Sequence, residues 1–245
     1  MIALRRHWGK CVKRALFTVL TVLIGVVVVG GSVLWFHKIQ QTRQDPATLT
    51  ATLTGETVQT PKGALPHATL NLEVYPNPGS VAGPPEGVPI LSQKGGWPFW
   101  WPSTSIELPA HTVVTMTVKQ YDSSTTPWNP YWADVHGTVD GTATYNGETK
   151  TGIKPADVAH TFTIHQYPES TQETFFVSVP MLATGNNAKP LANGYPKPNE
   201  ITFSFITPGP GEYIWNCEDP CGSGYQDFGG VMSERGWMSG TVTVV

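Results

Sequence analysis

Two cysteines, four residues apart near the C-terminal end of the chain, are the residues best suited to chemistry. Cys217 and Cys221 lie in the segment NCEDPCG. In an oxidising compartment such a pair can close a disulfide, or its thiolates can hold a soft metal ion, notably copper. A third cysteine, Cys11, lies in a basic N-terminal tail, where a thiol can be lipidated. The pair therefore has two interpretations, a covalent staple and a metal site.

The N-terminal part of the chain indicates the compartment in which these cysteines lie. Residues 1–14 carry five Lys or Arg and no acid, and residues 15–36 form an uncharged run of 22 residues. A helix of this length is about 30 Å long, the thickness of the hydrocarbon core of a bilayer. Positive charge flanks membrane spans on the cytoplasmic side, so a single-pass anchor with a cytoplasmic N-terminus is predicted. A cleaved signal peptide fits less well, because its apolar region is usually shorter and HKIQQTRQ is a poor cleavage site.

We therefore expect four segments: a cytoplasmic tail at 1–14, a transmembrane helix at 15–36, a stalk at 37–46 and an extracytoplasmic domain at 47–245. The protein is expected in the cell membrane, with the lipid bilayer around residues 15–36. Only 13% of the residues are charged and the net charge is −3, which gives no clustered basic face for nucleic acid. The sequence also contains no Gly-rich phosphate loop, nucleophile elbow or zinc-binding HExxH helix.

Alternation of apolar and polar residues with a period of two dominates the chain after the stalk. It is clearest in HATLNLEVY (67–75), HTVVTMTVK (111–119), EITFSFI (200–206) and TVTVV (241–245). Pro, Gly and Asn turn signals such as PNPG and PGPG bound these segments, and no helical period follows the stalk. The pattern predicts an all-β domain, either a β-sandwich or a closed Greek-key barrel.

An aromatic segment, GGWPFWWPS, lies at 95–103 and holds Trp97, Phe99, Trp100 and Trp101. Rings of this size bury a large apolar area, so the segment can plug one end of the sandwich. Alternatively, it forms an exposed aromatic patch on which a partner docks.

The residues around the cysteine pair follow a recognisable order. A Gly-x-Tyr segment leads into a Cys-x-x-x-Cys-Gly loop, formed by Gly211, Tyr213, Cys217, Cys221 and Gly222. Upstream, residues 157–162 read Asp-Val-Ala-His-Thr-Phe. Together with the anchor, these motifs resemble the cupredoxins, in particular cytochrome oxidase subunit II, whose cysteine loop binds a two-copper centre. The resemblance covers roughly the last third of the chain and is loose before that.

The resemblance implies a Greek-key cupredoxin-like β-sandwich that binds copper, transfers electrons and associates with other subunits of a membrane respiratory complex. In that family the histidine of the upstream strand, here His160, is a copper ligand. The middle of the cysteine loop, here Asp219, offers its backbone carbonyl. Mononuclear members place an axial methionine before the last strand as Met-x-Gly-x-Val-x-Val, which Met238 matches here. Met232 is a second thioether in the same loop.

The loop also departs from the family pattern, so the ligand set is degenerate. Tyr225 occupies the position of the second histidine of subunit II, and Phe228 occupies that of the methionine. No histidine follows His165. Neither a normal two-copper site nor a blue-copper site with two histidines and one cysteine can form from this loop. His136 and His165 are the plausible replacement nitrogens, and nothing in the sequence singles out either one.

The candidate metal ligands are accordingly His160, Cys217, Cys221, Met238 and Met232. These soft or borderline donors suit copper. Three functions remain open: electron transfer beside a terminal oxidase, a metal-free structural subunit with a Cys217–Cys221 disulfide, and carriage of Cu(I). Electron transfer requires no bond chemistry from the chain itself, so no catalytic residues are expected.

Overall fold

The computed structural model describes most of the chain in two compact units, Met1–Gln44 and Asp45–Val245. The described residues are 2–41, 47–61, 63–76, 97–123, 127, 129–167, 171–185, 189–192, 194–219, 221, 230–232 and 235–245. Tyr225 and Phe228, which depart from the subunit II pattern, lie outside them.

The first unit is one helix, α1 (Ile2–Gln41). Its stretch Lys13–Trp35 is 23 residues long, apolar and exposed, and it is long and apolar enough to cross a membrane. A helix that is apolar on every face needs lipid or protein around it. The predicted apolar helix is confirmed. It continues through residues 37–41 of the predicted stalk, and residues 42–46 lie outside the described residues.

The second unit is built from strands. The described strands are β1 (Leu49–Thr50), β2 (Thr52–Thr60), β3 (Gly63–Tyr75), β4 (Phe99–Trp101), β5 (Ser105–Leu108), β6 (Val113–Gln120), β7 (Ala143–Tyr145), β8 (Glu148–Lys150), β9 (Val158–Gln166), β10 (Val177–Leu182), β11 (Asn199–Ile206), β12 (Gly211–Asn216) and β13 (Ser239–Val244). Short 3₁₀ turns lie at Pro130–Ala133, Pro155–Asp157 and Gly230–Met232.

These strands form two sheets. The first sheet has the order β1-β5-β13-β12-β9-β10, and the second has the order β2-β3-β6-β11-β7-β8 with β4 added on β3. The pairs β1–β5, β5–β13 and β3–β6 are parallel, and the other pairs are antiparallel. The chain crosses between sheets from β10 to β11 and again from β11 to β12, as in Greek-key sandwiches. The predicted all-β sandwich is confirmed.

The predicted alternation of the second sheet is also confirmed. Apolar side chains of β3, β6 and β11 are buried against the first sheet, namely Ala68, Leu70, Leu72, Val74, Val114, Met116, Val118, Ile201, Phe203 and Phe205. On the opposite face, hydroxyl groups pair across strands: Thr115 with Ser204 at 2.8 Å and Thr117 with Thr202 at 3.3 Å. One face of this sheet therefore builds the core and the other is polar.

The aromatic segment belongs to the core. Trp97, Phe99 and Trp100 are each at most 2% exposed, and Trp101 is partly buried. The ring of Trp100 packs edge-on against Trp215 of β12, with centroids 5.3 Å apart. The plugging interpretation is confirmed, and the docking-patch interpretation is wrong for the three buried rings, because no partner can reach them.

Candidate metal centre

Strand β9 holds the predicted histidine in the middle of the first sheet, between β12 and β10. All seven residues from Val158 to Ile164 are buried, because the strand is covered on both faces. His160 is only 1% exposed. A polar ring at such a position needs hydrogen-bond partners or a bound ion to offset the loss of water.

The cysteine loop leaves the end of β12 and is fastened to both neighbouring strands. Asn216, the last residue of β12, is paired with Thr163 of β9 and with Ser239 of β13. The next amide, that of Cys217, donates to the carbonyl of Met238 at 2.9 Å. The amide of Glu218 then donates to the hydroxyl of Thr161 at 2.8 Å. The backbone around Cys217 is therefore fixed before the loop turns toward Cys221.

The side chains of His160, Cys217 and Cys221 converge at this point. Nδ1 of His160 lies 3.0 Å from Sγ of Cys221 and 3.9 Å from Sγ of Cys217. The two sulfur atoms are 3.2 Å apart. Bonds from nitrogen and sulfur to a metal ion are about 2.0–2.3 Å long, so two ligands of one ion lie at most about 4.6 Å apart. All three distances fall within that limit, and the donor set fits a single ion.

The same sulfur distance bears on the disulfide interpretation. A disulfide bond is about 2.05 Å long, whereas the sulfur atoms of Cys217 and Cys221 lie 3.2 Å apart as two free thiols. Both residues are buried, at 2% and 0% exposed. The pair is therefore arranged as two separate donors.

The carbonyl oxygen of Asp219 lies beside both sulfur atoms. It accepts from Sγ of Cys221 at 3.1 Å and lies 3.4 Å from Sγ of Cys217. The amide of Thr161 donates to Sγ of Cys217 at 3.4 Å. The resemblance implies a carbonyl at this loop position, and the structure places that oxygen next to the two sulfur donors.

Each of the two candidate methionines contacts one of the cysteines. The thioether sulfur of Met232 accepts from the amide of Cys221 at 3.3 Å. Met238 is buried, and its backbone carbonyl is the partner of the Cys217 amide. The described contacts thus bring the sulfur of Met232 and the backbone of Met238 to the cluster.

The other candidate histidines lie elsewhere. Nε2 of His165 is 2.7 Å from the side-chain oxygen of Asn216. Nε2 of His136 is 3.1 Å from the carbonyl of Tyr131, and its ring stacks on the tyrosine ring at a centroid distance of 4.0 Å. Within the described part of the chain, the group of side chains able to share one ion comprises His160, Cys217 and Cys221.

A carboxylate that the sequence does not single out completes the surroundings of His160. Oδ2 of Asp122 lies 3.0 Å from Nε2 of the imidazole, on the side of the ring away from the sulfur atoms. Asp122 follows the end of β6 in the second sheet, and its side chain is 19% exposed. No spacing rule relates it to a histidine 38 positions later, because the contact depends on how the two sheets stack.

Burial and hydrogen bonds set the protonation of the cluster. Burial lowers the pKa of His160, but the bonds to Asp122 and Cys217 outweigh it and raise that pKa to about 10. Burial raises the pKa of Cys217, yet the bonds with Cys221 and His160 bring it well below the usual thiol value. Burial and the neighbouring Cys217 both raise the pKa of Cys221. A metal ion that binds here must therefore displace the protons on Nδ1 and on the Cys221 sulfur.

Comparison with known proteins gives matches among solved structures. No protein-family model and no curated protein matches the chain. The matches include auracyanin B, which is 14% identical and has a TM-score of 0.32, covering 80% of this chain and 97% of that one. They also include rusticyanin, described as a copper protein, at 13% identity and a TM-score of 0.28, covering 73% of this chain and 82% of that one. Because these TM-scores are below 0.5, the fold assignment rests on the strand order and register of the chain itself.

Proposed function

We propose that this chain is a membrane-anchored, cupredoxin-like copper protein that transfers electrons, as a subunit II-like component of a respiratory oxidase. The observation that carries the proposal is the convergence of one imidazole nitrogen and two thiol sulfurs in a buried site at the end of a β-sandwich. Nitrogen and sulfur donors of this kind select copper over hard cations.

The chain's own contribution is to hold these donors in place and keep water out. Copper, when bound, supplies a one-electron exchange between Cu(I) and Cu(II). His160 is fixed in a central strand, and Cys217 is fixed by amide hydrogen bonds on both sides. Donors that move little between the two oxidation states keep the cost of reorganisation small, which favours rapid electron exchange.

The proposed location and partners rest on the N-terminal helix and on the order of motifs. The basic residues at 5–14, at the N-terminal end of the apolar stretch of α1, favour a cytoplasmic N-terminus and an extracytoplasmic copper domain. An anchor, an outer β domain, a DVAHTF strand and a CxxxCG loop occur in the order of subunit II. The partners proposed are therefore the lipid bilayer and other subunits of a membrane respiratory complex.

Carriage of Cu(I) is the second candidate, and one observation favours it. Two cysteines and one histidine, with the Met232 sulfur beside Cys221, form a soft donor set of the kind that suits Cu(I). Against it stands the burial of all three ligands, since a carrier must pass its ion to another protein. Electron transfer has no such requirement and is the function we favour.

Metal content and visible absorption of the full chain, purified in detergent with copper present, test the proposal. About one or two copper ions per chain with an intense thiolate-to-copper band would support electron transfer. Stoichiometric copper without colour would favour carriage of Cu(I). Absence of copper, together with a Cys217–Cys221 bridge found by thiol labelling before and after reduction, would overturn both and leave a structural subunit.

A further inference from the structure

We propose that Asp122 is a positioning residue for the metal ligand His160: its carboxylate sets which imidazole nitrogen faces the two cysteines. This inference rests on the proposed function, because it concerns the same copper site. It assigns a role to a residue outside the ligand set and in the opposite sheet.

The geometry of the imidazole ring carries the first step. Its two nitrogens point in different directions, Nδ1 toward the sulfur of Cys221 at 3.0 Å and Nε2 toward Oδ2 of Asp122 at 3.0 Å. A carboxylate oxygen can only accept, so Nε2 must carry a hydrogen. In the neutral ring Nδ1 then has the free lone pair, which is the form that a metal ion requires.

Asp122 is itself held firmly enough to orient its neighbour. Its other carboxylate oxygen accepts from the amide of Ser123 at 2.7 Å. The buried side chain of Gln120 bonds to both its amide and its carbonyl, at 2.6 and 3.0 Å. That carbonyl also accepts from the amide and the hydroxyl of Thr184, at 2.8 and 2.9 Å. The carboxylate is therefore fixed at the ends of β6 and β10.

The position of Asp122 in the fold gives the contact a second consequence. His160, Cys217 and Cys221 belong to the first sheet and its loop, whereas Asp122 follows β6 of the second sheet. The hydrogen bond thus ties the imidazole to the opposite layer of the sandwich. The negative charge of Asp122 also favours Cu(II) over Cu(I), so removal of this charge should raise the reduction potential of the bound copper.

Three variants of the full chain separate this role from general effects. Asp122→Ala removes the acceptor, and Asp122→Asn keeps the shape and an acceptor oxygen but removes the charge. Asp140→Asn is the matched control, because Asp140 is exposed on the loop after the first 3₁₀ turn. Thermal unfolding of each variant by circular dichroism, before metal is added, shows whether the fold is retained.

Affinity for Cu(I), measured by competition with a chromophoric chelator, is the first readout. Loss of an outer partner of a ligating histidine typically costs about 10–100-fold in affinity. We expect a loss of that size in Asp122→Ala, a smaller loss in Asp122→Asn and none in Asp140→Asn. The reduction potential should rise in both Asp122 variants and stay constant in the control.

The tautomer of His160 distinguishes a positioning role of Asp122 from a merely structural one, because a merely structural role would leave the tautomer unchanged. In the full chain labelled with ¹⁵N-histidine and loaded with diamagnetic Cu(I), His160 should carry its proton on Nε2. Asp122→Ala should weaken or shift that signal. If the wild type binds copper and Asp122→Ala keeps both its affinity and its tautomer, the inference is overturned alone. If the wild type binds no copper, the proposed function fails and this inference fails with it.

Discussion

The two sheets of the sandwich bury polar groups in different ways. In the second sheet, β6 and β11 place apolar side chains inward and pair their hydroxyl groups on the outer face. In the first sheet, β9 buries both faces and with them His160, Thr161 and Thr163. Each of these buried polar groups has a hydrogen-bond partner, and most of those partners belong to the cysteine loop or to Asp122.

This difference separates residues that maintain the fold from residues that build the site. Burial of a polar group costs free energy unless it finds a partner, so an all-apolar β9 would be the simpler core strand. The chain instead concentrates its buried imidazole and thiols at one end of the first sheet. The second sheet supplies the packing, and the first supplies the proposed chemistry.

The largest expected effect is the loss of copper binding in a variant whose core packing is intact. Cys217→Ser replaces a thiolate donor with a hydroxyl, a poor ligand for copper, and should abolish stoichiometric copper binding. Cys11→Ser is the matched control, since Cys11 lies in the N-terminal tail, and it should bind copper as the wild type does. Metal analysis of the two purified chains checks this. Equal copper content in both would mean that Cys217 is not a ligand.

The reverse experiment breaks the packing of the second sheet. Phe205 of β11 is fully buried, so Phe205→Ala should lower the free energy of unfolding by about 3–5 kcal/mol. Thr202→Ala, on the polar face of the same strand, should change it by less than about 1 kcal/mol. Denaturant titration of the metal-free proteins gives both values. Similar losses in the two variants would contradict the division between the inner and outer faces.

Gly240, at the start of β13, couples the packing of the first sheet to the candidate site. A Cβ on Gly240 would lie 1.8 Å from the carbonyl oxygen of Thr104, so Gly240→Ala must push β13 away from the segment before β5. We expect the free energy of unfolding to fall by about 1–3 kcal/mol. Copper binding should weaken as well, because the amide of Cys217 is hydrogen-bonded to Met238 at this end of the strand. Gly185→Ala meets no atom within 4 Å and is the control. Chemical unfolding and chelator competition measure the two effects, and a Gly240→Ala protein as stable as the control would refute the prediction.

The smallest effect is expected at Met232, whose sulfur lies beside Cys221. Met232→Leu keeps the volume of the side chain but removes the sulfur that accepts from the Cys221 amide. We expect copper to remain bound with a shifted visible spectrum and a loss of affinity below about tenfold, since a thioether is a weak acceptor and a weak axial ligand. Titration with copper under the visible spectrometer measures both. A spectrum identical to that of the wild type would exclude the Met232 sulfur from the coordination sphere.

Local patterns predicted some of the strands, including β3, β6 and β11, and the main site residues. Alternation with a period of two identified the inner faces of β3, β6 and β11, since each has one polar face. Residue order marked His160, Cys217 and Cys221, which the structure brings together. No local pattern could predict the contact between Asp122 and His160, because it arises from the stacking of two sheets. The burial of the rings at 97–100 was open for the same reason, since an aromatic run suits both a core and a docking surface.

X-ray absorption at the copper edge of the full chain, purified in detergent with copper present, tests whether His160, Cys217 and Cys221 form the copper site. We predict sulfur and imidazole nitrogen neighbours in the first coordination sphere of the wild type. Cys217→Ser should lose the bound copper together with its sulfur neighbours, and His160→Ala should lose the imidazole contribution. Copper surrounded only by oxygen or nitrogen neighbours, unchanged by either substitution, would contradict a site built from His160, Cys217 and Cys221.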